Sequence, residues 1–150
     1  MVSALVEDLP AATVEFFRRR ARRTGAASVS EHVRHELITL ARGREPVDQV
    51  VEFVRDHHPE PPRPVVDADA LALADAYALP EDVWDVLCRR AAASHVPVSD
   101  YVHGELVSIS RHGTVDDVMW EMGEVSDADP SLDVDLDAVH AAVRYARGLD

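Results

Sequence analysis

Lysine is absent from the 150 residues, so the fixed positive charge rests on 15 arginines; this is a compositional bias that dictates no mechanism by itself. Cysteine occurs once, as Cys88, which excludes a disulfide framework and a cysteine-based zinc site. Its place in a helical pattern, opposite Arg18 of an earlier matching segment, makes packing the expected role. Aromatic residues are scarce at 5%, while hydrophobic content is 47%, so the core must be built from Val, Leu and Ala. That composition favours helices. No signal peptide, transmembrane run or lipidation motif is legible, so the expected compartment is the cytoplasm, without membrane contact. There is no glycine-rich phosphate loop, serine nucleophile elbow or pair of carboxylates on a recognisable scaffold, so neither an enzyme nor a cofactor is expected. His32 and His35 stand one helical turn apart, but no third ligand falls in register with them and no metal is expected.

What the chain does have is an internal duplication. The stretch from Leu9 and Pro10 to Val50 returns from Leu79 and Pro80 to Val118, with a register shift of 70 that falls to 69 and then 68. Residues 29–42 and 98–111 are identical at six of fourteen positions and similar at five more. A 45-residue unit buries too little surface to be stable alone, so each copy needs a partner. The natural partner is the other copy.

Charge divides unevenly along the chain. Residues 1–58 balance nine arginines against nine acids, and residues 59–150 carry the whole formal excess of −13. An acidic chain repels phosphate in general, so any DNA contact would need a local patch.

Apolar spacing predicts helices over residues 11–24, 31–42 and, after Pro46, to about 57. Gly25 and Gly43 mark stops, and Ser30 is the expected cap of the second helix. Residues 2–7 lean towards a short strand. Four prolines within six residues make 58–69 an extended linker. The second copy repeats the order: a weak segment at 71–78, a helix over 80–94, a helix over 100–111 capped by Ser99, and a short helix after Thr114. Residues 127–135 read as an acidic loop, and 135–147 as an amphipathic helix outside the duplication.

Short strand, Leu-Pro hinge, arginine-rich helix, small-residue turn and second amphipathic helix together resemble the ribbon-helix-helix unit. The chain resembles a tandem ribbon-helix-helix protein, similar to antitoxins that repress their own operon and neutralise a PIN-domain ribonuclease. The resemblance rests on residues 6–10, Arg19, Arg20, Ala21, Ser30 and Glu31 in the first copy, and on Ser99 to Val102, Glu105 and Leu106 in the second. The tail over 137–147 adds an apolar segment followed by arginines. The implied architecture is mainly α. Two ribbon-helix-helix repeats, 1–57 and 70–126, form an intramolecular pseudo-dimer around the linker 58–69, and 127–150 supply an acidic loop and C-terminal helix.

The resemblance also implies sites. Outward ribbon positions would meet DNA: Ser3, Leu5 and Glu7 in the first copy, and Leu73, Asp75 and Tyr77 in the second, with Ser28 and Ser30 at a helix start suited to a phosphate. Glu7 stands where the family is commonly basic. Arg18, Arg19, Arg20, Arg22 and Arg23 either clamp phosphate or lie over acidic neighbours. Leu136, Val139, Val143, Arg144 and Arg147 would hold a PIN-domain toxin, or the two arginines simply complement a helix dipole. Two functions follow: an antitoxin-like regulator binding operator DNA through the ribbon and a nuclease through its tail, or a protein-interaction module that no longer binds DNA. In either case the free chain is expected to be monomeric.

Overall fold

A computed structural model describes residues 5–149, and among these every regular element is helical. The helices are α1 (Ala11–Thr24), α2 (Val29–Arg42), α3 (Val47–His57), α4 (Ala68–Ala76), α5 (Glu81–Ala93), α6 (Val98–Arg111), α7 (Val115–Ala128) and α8 (Leu136–Ala146). Single 3-10 turns lie at Val6–Asp8 and Pro130–Leu132.

The ribbon expected from the sequence is therefore corrected. A ribbon-helix-helix fold needs paired strands, and the described residues contain none. Ser3 and the start of the first expected strand lie outside them. Val6–Asp8 instead closes as a tight turn, with Asp8 N–H donating to Leu5 O at 2.9 Å and Leu5 and Val6 packing onto the core. The second expected strand is α4. Its run of alanines and leucines consists of strong helix formers, and Asp69 in the first turn complements the helix dipole. Local propensity overrides the alternation there, and the fold class is all-α.

Helix boundaries follow local chemistry in both copies. Pro10 and Pro80 sit extended immediately before α1 and α5, where a missing N–H costs nothing. Gly25 ends α1 in the left-handed region at φ 75°, and its counterpart after α5, His95, takes the same conformation at φ 58°. Two caps differ from expectation. Ser28, two residues earlier than Ser30, accepts from Glu31 N–H at 3.0 Å. Ser99 lies inside the first turn of α6, fully buried, where its N–H and hydroxyl both donate to Asp67 at the end of the linker.

The two copies interlock crosswise. α1 packs on α2 and α5 on α6 within each copy, while α1 also packs on α6 and α2 on α5 between copies. The third helices are exchanged: α3 lies on α5 of the second copy and α7 lies on α1 of the first. Phe17, Val33 and Leu37 from the first copy and Leu73, Val83, Leu87, Val98, Val102 and Leu106 from the second are fully buried in one continuous core. Val14, Leu40, Val86 and Ile109 line its edge. The linker is tied down where Val98 N–H donates to Val65 O at 3.0 Å. α8 packs on α7, and neither helix contains a buried residue.

Candidate functional site

The exchange of third helices creates two related ionic centres. Arg90 on α5 meets Asp48 at the start of α3 in a two-point contact, Nε to Oδ1 at 2.8 Å and Nη2 to Oδ2 at 2.9 Å. Arg20 on α1 meets Asp117 at the start of α7 the same way, Nε to Oδ1 at 2.9 Å and Nη2 to Oδ2 at 2.8 Å. Each aspartate also accepts from a backbone N–H three residues before it, Glu45 for Asp48 and Thr114 for Asp117. Each carboxylate thus holds the backbone at the start of its own helix, Asp117 as part of a capping box with Thr114, and clamps an arginine from the other copy. The planar guanidinium fork suits that geometry.

The centres differ in depth. Arg90 is 1% exposed, and it also donates to Leu40 O at 2.8 Å and Gly43 O at 2.7 Å. Its hydrogen bonds hold the Asp48 carboxyl below its ordinary value, against desolvation. Beside it, burial and the charge of Glu45 raise the Glu105 carboxyl, and burial pushes the Tyr101 phenol up to about 12. Around Arg20 the corresponding positions hold Glu36, which accepts from Nη1 at 2.8 Å, and His32, whose protonation burial disfavours. Burial alone would raise Asp117, but the bonds from Arg20 and Thr114 hold it far below the ordinary carboxylate range.

Three of the four remaining α1 arginines face α7. Arg19 and Arg22 reach Glu124 at 3.2 and 2.8 Å, Arg23 reaches Asp117 at 2.9 Å, and Arg18 pairs with Glu15. The acidic second half therefore lies directly over the basic helix of the first. Beside these pairs is a cavity of about 180 Å³ bounded by α1, the α6–α7 turn, α7 and the end of α8. Phe16 and Trp120 help to form it, and the Arg20 guanidinium lies 4.6 Å from the Phe16 ring centre. Gly113 keeps the turn close, since a Cβ there would come within 3.0 Å of the Phe16 ring.

No family model, curated protein or solved structure matches the chain. The site must be read from its own geometry.

That geometry separates the residues proposed for DNA. Tyr77 and Leu73, expected to point outward, are buried, because the α-helical turn replaces the two-residue alternation that would have exposed them. Tyr77 instead comes near Glu7 and the Val6 backbone, where burial raises its phenol. Leu5 packs against the core, whereas Glu7, Asp75, Ser28 and Ser30 are exposed. His32 and His35 have ring centres 6.5 Å apart, and no group of three metal-ligating side chains occurs among the described residues. Cys88 is buried, and its thiol is pushed up to about 11 by burial and the nearby Asp85.

The tail residues lie together on α8. Val139 and Val143 are half-covered while Leu136 is exposed. Arg144 donates to Leu149 O at 2.9 Å, and Arg147 reaches back to Gly113 O. The residues that sequence reasoning missed are Arg90, Asp48, Asp117, Glu124 and Arg111. A signal for the first was present: the duplication sets Arg20 against Arg90 and Glu36 against Glu105. Among the described residues, no helix is long and apolar enough to cross a membrane.

Proposed function

We propose that this chain is a cytoplasmic, non-enzymatic protein-binding module of the antitoxin type, which holds a partner protein through the α7–α8 hairpin and does not act on DNA. The observation that carries the reading is the state of that hairpin. It buries no residue fully, and with its flanks it leaves Trp120, Val125, Leu132, Leu136, Tyr145 and Leu149 exposed. Large apolar side chains in that number on one hairpin mark a surface suited to a protein partner. The basic helix that would otherwise meet phosphate has most of its arginines engaged by carboxylates of the same chain.

The partner suggested by the tail's resemblance is a PIN-type ribonuclease. Arg147 is held by the Gly113 carbonyl, so transfer to a carboxylate of a nuclease would give its guanidinium an oppositely charged, two-point partner. Leu136, Val139 and Val143 would enter a groove beside it.

The test is co-expression with a co-encoded PIN-type nuclease, comparing the full chain with one lacking residues 135–150. The truncated chain should keep its helical circular dichroism and lose both complex formation and inhibition of RNA cleavage. Arg144→Glu should do much of the same. Undiminished inhibition by both variants would remove α8 from the interface. Retarded mobility of upstream DNA with the free chain would restore the regulator reading.

A further inference from the structure

We propose that the cavity between α1, α7 and the end of α8 binds a phosphate group, either the free anion or that of a small phosphomonoester. Five guanidinium groups line it, Arg19, Arg20, Arg23, Arg111 and Arg147, against the carboxylates of Asp117 and Glu121. Glu36 and Glu124 hold Arg20 and Arg19 from outside the lining. The acids do not use up the donors. Arg23 Nη1 is buried without a hydrogen-bond partner, and Arg111, which no carboxylate or carbonyl among the described residues holds, stands at the rim.

An unpaired guanidinium N–H out of water is costly, and an oxyanion supplies the acceptor that it lacks. Phosphate offers several acceptor oxygens at once to converging planar forks, which favours it over chloride. A volume of about 180 Å³ holds a phosphate with a small substituent or a few waters. In a chain of net charge −13 such a cluster of arginines supplies local positive charge for an anion. α8 takes part because Arg147 closes one side, its guanidinium anchored on Gly113 O in the turn that forms another.

A cavity of about 300 Å³ also lies beside Arg90, lined by Arg42, Arg44, Arg55 and Arg89 as well, but the Arg90 guanidinium has no donor left for a ligand there. Its Nη1 and Nη2 are taken by the Leu40 and Gly43 carbonyls and Asp48, and the residue is sealed. A structural role accounts for Arg90 completely; it leaves Arg23 Nη1 and Arg111 unexplained.

The test is independent of the proposed protein partner. Trp120 lines the cavity, so in a Trp84→Phe background its fluorescence reports occupancy. Inorganic phosphate and methyl phosphate are titrated separately, each against sodium chloride at equal ionic strength. A saturable phosphate response, weakened about tenfold in Arg111→Gln and unchanged in Arg34→Gln, is expected. Because Arg111 forms no ion pair among the described residues, its variant should melt like the parent without phosphate. A stronger response to methyl phosphate identifies a phosphomonoester as ligand, and a stronger response to phosphate identifies the free anion. Equal responses to phosphate and chloride, or an Arg111→Gln variant that binds as the parent does, overturn the proposal.

Discussion

Removing the Asp48 carboxylate should destabilise the whole chain more than any surface substitution. Asp48→Ala strips two of the four bonds from a guanidinium that is 1% exposed, and it removes the acceptor of the Glu45 N–H just before α3. Breaking a buried pair from one side costs about 3–5 kcal/mol, since the remaining charge stays buried. Stability of a domain is about 5–15 kcal/mol in total. The expected loss is therefore a large share of it, and at about 2–4 °C per kcal/mol the melting temperature should fall by roughly 6–20 °C. Urea unfolding followed by circular dichroism gives the free energy directly, with an unchanged slope indicating that the same surface is exposed on unfolding. Arg20→Ala should cost less, because the Arg20 side chain is 13% exposed and Arg23 still pairs Asp117 when Arg20 is removed. A double-mutant cycle of Asp48→Ala with Arg90→Ala should give a coupling of about 1–3 kcal/mol. Coupling near zero, or equal costs at Arg20 and Arg90, would refute the assignment of the deeper centre as the main clamp between copies.

Leu106→Ala should cost about 2–5 kcal/mol and accelerate amide exchange in α1 and α2 as well as α5 and α6, because the core is shared; faster exchange confined to residues 79–118 would contradict this. Glu105→Gln should raise stability at neutral pH and lose that advantage in acid. The folded carboxyl has a raised pKa, so its charged form is disfavoured by folding only above the ordinary carboxylate range, and urea midpoints at pH 7 and pH 4 test the sign. Asp48 has the opposite sign, its contribution being present above that range and lost as pH falls through its lowered folded value. The free chain should scatter light as a monomer at low micromolar concentration, since the third helices are already exchanged within it.

Apolar periodicity made the helices of both copies legible, because Phe17, Val33, Leu37, Leu87, Val102 and Leu106 recur at helical spacing and face one core. The strand expectation failed where periodicity was ambiguous. Leu71, Leu73 and Asp75 alternate with alanines, and over so short a run helix-forming composition decides the outcome. Helix starts moved by one or two residues, since Ser28 rather than Ser30 makes the cap and Ser99 is engaged by a residue of the linker. The ionic centres were the least legible part. Arg90 and Asp48 lie 42 residues apart and Arg20 and Asp117 lie 97 apart, so no local pattern brings them together. Only the crosswise placing of α3 and α7 makes each aspartate the neighbour of the other copy's arginine.

Covalent joining of the copies removes a constraint that a symmetric dimer of identical chains would impose. In such a dimer every change appears twice, so a substitution that opens a cavity at one centre also weakens the other. Here His32 stands where the second copy has Tyr101, and Thr13 where it has Val83. The Arg90 centre keeps the halves locked while the Arg20 centre is free to diverge, its cavity edged by Gly113 and Arg147, without a matching loss elsewhere. A single mutation in one half can thus be selected for binding while the interlock that preserves the fold is inherited unchanged from the other.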